Sequence, residues 1–204
     1  MAPAYGSFAA PRHHRLLLIM NKDRPRFRLY MAISLDGFVA SPDGSVKWLE
    51  PYDPYEVGFG DFLASAGAIV MGRKSYDQML TWDVWPYPGK RTVVMTRRPL
   101  TPTTPDTEAS SDPVETIAQR LARETTRGDV WVFGGGELAR AFLAADRLDT
   151  LELCIVPVLI GEGLPLFGPG TRASNLRLTR MQPYANGLVC VDYEVMRRDT
   201  PAPA

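Results

Sequence analysis

Two glycine-bearing junctions carry the clearest chemical signal in the chain. Gly72-Arg73-Lys74-Ser75 follows the apolar run 68–71, and Gly134-Gly135-Gly136-Glu137-Leu138 follows the apolar run 130–133. In each, a strand-like segment ends in glycine and passes directly into a helix-like one. A helix start leaves its first N–H groups unpaired and presents the positive end of its dipole, so such a junction receives anions. Two junctions suit a dinucleotide with a pyrophosphate and a further phosphate. Arg73 and Lys74 add positive charge at the first, and Ser75 adds a hydroxyl. Thr96, Arg97 and Arg98 close a third apolar run, where a guanidinium can grip an adenosine 2′-phosphate through paired charge-assisted bonds. Together these features imply NADPH rather than NADH. Each also has a plainer reading, as a turn glycine, a flexible triple glycine or a solvated arginine pair. Their shared position at strand C-termini, where ligands of open α/β sheets gather, favours the cofactor.

Hydride transfer to a carbonyl or imine carbon needs a proton source or hydrogen-bond donor at the neighbouring atom. Two carboxylates are candidate catalytic groups. Asp36 follows the first strand, although an Asp36-Gly37 turn also lets the side chain cap its own backbone. Glu56 stands three residues after Asp53 in Asp53-Pro54-Tyr55-Glu56, a capping-box-like start for a helix running to about Ala66. Facing an apolar pocket near Trp48 and Phe59, it would have a raised pKa and could relay a proton; the same pattern fits capping alone. His13 and His14 are the chain's two histidines and fall in the N-terminal arm, so no metal site and no histidine-based triad is expected in the domain.

The elements that must hold these residues follow from hydrophobic period. Residues 26–34 alternate apolar and polar as a half-buried strand, and Phe38-Val39-Ala40 lies between two turn signals. Short apolar strands at 68–71, 92–95 and 130–133 alternate with helices after Gly72, Pro113 and Gly136. Prolines at 99, 102 and 105 keep the intervening stretch irregular. The ending is strand-rich, at 150–158, then 176–181 and 188–196 joined across Asn186-Gly187, a pair favoured in tight hairpins. This order implies a three-layer α/β/α fold with a mixed, mainly parallel sheet and an antiparallel C-terminal hairpin. Residues 26–197 form the single domain; 1–25 read as a disordered extension and 198–204 as a disordered tail.

With 204 residues and 45% hydrophobic content, the chain can bury one sizeable core. Its 23 basic and 23 acidic residues cancel, which gives no reason to propose nucleic acid or an anionic membrane and leaves a small molecule as the partner. The apolar run 16–20 is too short for a signal peptide or a membrane span. Cys154 and Cys190 read as buried free thiols suited to a reducing cytoplasm.

Ser34-Leu35-Asp36-Gly37, Gly72-Arg73-Lys74-Ser75-Tyr76, Val132-Phe133-Gly134-Gly135-Gly136-Glu137-Leu138 and the segment from Pro157-Val158-Leu159-Ile160 to Leu166-Phe167 occur in one order along the chain. This set resembles the bifunctional deaminase-reductase C-terminal family, which includes riboflavin-pathway reductases and shares the dihydrofolate reductase fold. The resemblance implies that Ala32 and Ser34 line a nicotinamide pocket, and that Gly72, Arg73, Lys74, Ser75, Thr96, Arg97 and Arg98 hold the adenosine side. It implies that Gly134, Gly135, Gly136, Glu137 and Leu138 cradle the pyrophosphate. Trp48, Phe59, Val156 and Leu159 are then the substrate wall, and the assembly is a homodimer. No zinc deaminase signature is present. The substrate is a pterin, a ribosylamino-pyrimidine or a carbonyl compound. A non-catalytic NADP(H)-binding sensor and a reductase using a flavin or deazaflavin are the rival readings.

Overall fold

The protein is described by a computed structural model covering residues 24–82 and 84–197. The proposed extension and tail fall almost wholly outside these residues. Arg24 already joins the fold, through two hydrogen bonds of 2.7 and 3.0 Å to the Asp149 carboxylate.

In chain order the elements are β1 (Phe27–Ser34), β2 (Phe38–Ala40), α1 (Phe59–Ser65), β3 (Ala66–Gly72), α2 (Arg73–Met79), β4 (Arg91–Met95) and β5 (Thr107–Ser110). They continue with α3 (Val114–Glu124), β6 (Asp129–Phe133), α4 (Gly136–Ala144), β7 (Thr150–Val156), β8 (Leu164–Pro165), β9 (Leu176–Pro183) and β10 (Val189–Val195). Eight strands form one sheet in the order β5-β4-β3-β6-β1-β7-β10-β9; β2 and β8 make a separate antiparallel pair. β5 through β7 in that order run parallel, and β10 and β9 are antiparallel. The expected mixed sheet with an antiparallel ending is the architecture found.

Strand alternation sorts the core into two layers. Phe27, Leu29, Val70 and Val132 face Ile117 and Leu121 of α3 and Leu138 and Phe142 of α4. Ile69, Met71, Val94 and Trp131 face Phe62 of α1 and Tyr76 and Met79 of α2. Leaving β1 and β3, the chain moves one way along the sheet over the α1–α2 face; leaving β5 and β6, it moves the other way over the α3–α4 face. Both directions produce the right-handed crossovers that twisted parallel strands favour.

Three expectations are corrected. The helix expected over 53–66 is split: Pro54–Val57 is a 3-10 turn capped by Asp53, whose carboxylate accepts the Tyr55 N–H at 2.8 Å. Gly58 then adopts φ +88°, a left-handed conformation open to glycine, and α1 starts afresh. The stretch after the third apolar run contains β5, a half-polar edge strand whose Glu108 carboxylate accepts from Arg91 and Arg120, each at 3.0 Å. Most consequentially, Cys154 and Cys190 are not free thiols. The antiparallel register of β7 and β10 places them directly opposite and they form a disulfide, so their use no longer argues for a reducing compartment.

Close backbone approach explains one glycine. A Cβ on Gly136 would fall inside van der Waals contact with the carbonyl oxygens of Pro165 and Leu166, whereas one on Gly135 would meet nothing. Gly136→Ala is expected to lower stability by about 1–3 kcal/mol, because backbone must shift to admit the methyl. Urea unfolding should show the lower midpoint, with Gly135→Ala within about 0.5 kcal/mol of the parent.

Candidate active site

The parallel strands deliver their C-terminal ends to one edge of the sheet, in the spatial order β4, β3, β6, β1, β7. That order brings together Thr96-Arg97-Arg98, Gly72 to Ser75, Gly134 to Leu138, Ala32 to Ser34, and Val156. The chains leaving β6 and β1 depart over opposite faces, which opens a crevice between them of the kind that receives ligands in open α/β sheets.

The two glycine junctions are neighbours. Met71 pairs with Phe133, so Gly72 and Gly134 lie side by side, and a Cβ on Gly134 would stand 3.2 Å from the Ser75 hydroxyl oxygen and 3.5 Å from the Gly72 nitrogen. Gly134 has φ +145°. No side chain caps the start of α2 or of α4. Gly135 is exposed at this edge, and the acidic Glu137 stands exposed in the first turn of α4.

At the end of β4 the Thr96 N–H donates to the Ser110 carbonyl at 2.8 Å, and its hydroxyl oxygen accepts the Arg98 N–H at 3.1 Å, fixing a turn that presents both arginines. Arg97 and Arg98 are exposed; Arg98 lies 3.8 Å from Asp77. Arg73 differs from the mobile charge read from sequence. Its guanidinium bonds Asp77 at 2.6 Å and the Pro99 carbonyl at 2.8 Å, bracing the loop after β4. Lys74 is exposed.

On the other side of the crevice, Ser34 is fully buried and its hydroxyl oxygen accepts the Phe38 N–H at 3.0 Å. Asp36 reaches across to the segment that follows β7: its carboxylate accepts the Gly161 N–H at 2.8 Å and the Ile160 N–H at 3.1 Å, beside a Leu35 N–H to Val158 carbonyl bond of 2.9 Å. The neighbouring Ser34 hydroxyl, then the Gly161 and Ile160 N–H groups, hold its pKa below the usual carboxylate range. The carboxylate thus ties the turn after β1 to a segment from another part of the chain.

Glu56 is exposed on the 3-10 turn whose buried residue is Val57. Phe59 packs against Tyr30, Tyr55 and Trp131, with ring centroids 5.6–5.7 Å apart. Trp48 and Ala32 pack against the buried cluster that contains Val57 and Val156, and the buried Trp48 indole N–H has no hydrogen-bond partner among the described residues. Val156 is buried, whereas Leu159 is 69% exposed at the mouth of the crevice. Sequence reasoning missed Tyr30 and Tyr52, which join the same cluster from β1 and the loop before α1. Their only signal was aromatic character. An open cavity of about 410 Å³ lies lower on the α1 face, between Arg28 and Asp192, and none of the glycine-junction residues lines it.

The depressed pKa of Asp36 gives a signed prediction. A group whose folded-state pKa lies below its unfolded value contributes stability above the unfolded pKa, and that contribution fades as pH falls through the folded value. Asp36→Asn should therefore melt lower than the parent at neutral pH, with the gap closing in the acid range. A gap that stays constant with pH in thermal melts would remove the anchoring role.

Residues 25–190 match the model of the RibD C-terminal domain. Among curated relatives, the uncharacterised protein YwjB of Bacillus subtilis is 32% identical over 152 residues, covering 74% of this chain and 87% of YwjB. The uncharacterised protein YyaP of the same bacterium is 29% identical over 187 residues, covering 85% and 96%. A crystal structure from Shewanella sp. PV-4, ascribed to riboflavin biosynthesis, shares 25% identity at a TM-score of 0.72, over 84% of this chain and 99% of its own. The diaminohydroxyphosphoribosylaminopyrimidine deaminase/5-amino-6-(5-phosphoribosylamino)uracil reductase of Thermotoga maritima has the same fold at a TM-score of 0.63 and 18% identity, over 86% of this chain and 58% of its own. No helix among the described residues is long and apolar enough to cross a membrane. The sheet order, the paired glycine junctions and a match across most of the length agree: the chain belongs to the RibD C-terminal domain family, oxidoreductase-type domains with a dihydrofolate reductase-like fold.

Proposed function

We propose that the protein is an NADPH-dependent reductase acting on a small heterocycle of the pterin or ribosylamino-pyrimidine class, or on a carbonyl compound. The observation that carries this reading is the adjacency of two uncapped, glycine-led helix starts at the β6–β1 crevice, next to exposed Arg97 and Arg98. These residues fit a phosphorylated dinucleotide. Backbone without side-chain bulk at Gly134 and Gly135 admits a pyrophosphate, the 72–75 and 96–98 turns border the adenosine side, and the arginines supply charge for a 2′-phosphate. NADPH, when bound, would supply the hydride. Ala32 then borders the nicotinamide end, the fully buried Ser34 holds the turn behind it through the Phe38 N–H, and Trp48 with Val156 forms an apolar wall that keeps water from it.

In this reading Asp36 holds the 157–167 segment against the crevice, and Glu56, a carboxylate at the exposed rim, is the candidate relay of a solvent proton. The engagement of Asp36 and the exposure of Glu56 also favour a second reading, an NADP(H)-binding protein without turnover. Assay of NADPH oxidation against pterins, pyrimidine intermediates, quinones and carbonyls separates the two: saturable binding with no oxidation supports the sensor. A homodimer fits the apolar stripe on edge strand β9, where Leu178 and Met181 are 52% and 63% exposed.

Arg97→Glu combined with Arg98→Glu should weaken NADPH about 10–100-fold in a fluorescence titration, from charged hydrogen bonds contributing about 1.5–3 kcal/mol each, and NADH far less. Equal losses for both would remove the 2′-phosphate argument. Glu56→Gln should change the pH profile of kcat; unchanged kinetics with lowered stability would return Glu56 to a capping role.

A further inference from the structure

We infer that Cys154 and Cys190 form a reversible dithiol/disulfide couple, exchanging with small dithiols that enter through the cavity on the α1 face. This holds whether or not the sheet edge binds NADPH. The two residues are 5% and 3% exposed, yet both line the open cavity of about 410 Å³, which is within the size range of small-molecule pockets. The strands they join are already held by a continuous ladder from Val189↔Ile155 to Glu194↔Thr150. Breaking the sulfur bridge therefore leaves β7 and β10 paired, and exchange does not require unfolding.

The surroundings suit the chemistry. The Tyr30 hydroxyl oxygen lies 3.9 Å from the Cys154 sulfur. Burial, then the nearby Tyr184, Glu152 and Asp192, push the Tyr30 pKa up to about 12, so its proton is retained and available for donation. The carboxylates closest along the strands are each matched by a guanidinium. Arg28 donates two bonds of 2.6 and 2.7 Å to Glu152, and Arg180 lies 3.6 Å from Asp192, which moderates their repulsion of an incoming thiolate.

The exchange balances as follows. A dithiol's thiolate attacks the Cys190 sulfur, the S–S bond breaks, and its electron pair passes to the Cys154 sulfur, which accepts a hydrogen bond from Tyr30 and a proton from solvent. The second thiol of the reductant then attacks the mixed disulfide at the reductant's own sulfur, releasing the Cys190 thiolate, which is protonated. The sum is protein disulfide plus dithiol giving two protein thiols and a cyclic disulfide. Both sulfurs share an apolar cluster with Val57, Val156 and Trp48, so the couple adjoins the wall of the candidate active site.

The full-length protein, purified without reductant, is treated with dithiothreitol under native conditions, alkylated and analysed by mass spectrometry alongside near-UV circular dichroism. No alkylation at either cysteine before reduction, and alkylation of both afterwards with an unchanged near-UV spectrum, is the expected result. Tyr30→Phe should slow reduction several-fold with the same end point, and thioredoxin, too bulky for the cavity, should act at least about tenfold more slowly than dithiothreitol at matched driving force. Both cysteines alkylated from the outset in aerobically handled protein, alkylation only after denaturation, or Tyr30→Phe and parent reduced at equal rates would each overturn the proposal.

Discussion

β6 lies between β3 and β1, paired in parallel on both sides, with Met71 opposite Phe133 and Phe27 opposite Val130. A parallel strand at the centre of a sheet needs apolar residues on both faces, and Val130, Trp131 and Val132 are all buried. Its insertion between two strands that precede it in sequence makes the neighbouring chains leave in opposite directions. Without that insertion the Gly72 and Gly134 junctions would not be adjacent, and the crevice beside β1 would not exist. The proposed chemistry thus rests on one pairing choice, enforced by burial rather than by any polar residue in the site.

The rim of the crevice is held by a different kind of interaction. β2 and β8 pair over the edge, Gly136 admits the backbone of Pro165 and Leu166, and the Asp36 carboxylate takes two N–H groups from the segment after β7. These are short-range contacts between segments distant in sequence. At the opposite end of β1 the chain is tied by Arg28 to Glu152 and Asp129 and by Arg24 to Asp149. The polar anchors thus lie at the two ends of a sheet whose middle is apolar.

Features set by local pattern were legible in the sequence. The alternation in β1, the glycine junctions after β3 and β6, and the Asn186-Gly187 hairpin each depend on residues within one element, and all lie where expected. Features set by long-range pairing were not. The disulfide arises from register between strands whose cysteines are 36 residues apart, and β5 is a polar edge strand stabilised by arginines from β4 and α3. The broken helix at Gly58 lies between these cases. Pro54 and the Asp53 cap signal a helical start, but nothing in the local pattern announces a left-handed glycine four residues later. The same limit applies to the site. The glycine turns at 72 and 134–136 were readable, whereas the hydrogen-bond partners of Asp36 were not, because they come from 160–161, on another part of the chain.

Hydrogen–deuterium exchange of the intact protein, with and without saturating NADPH, tests the central claim most directly. Protection concentrated at 72–75, 96–98 and 134–138, the three turns at the C-terminal edge, is the predicted result. Binding that leaves those turns unprotected, or that protects only the lower cavity between Arg28 and Asp192, would contradict it.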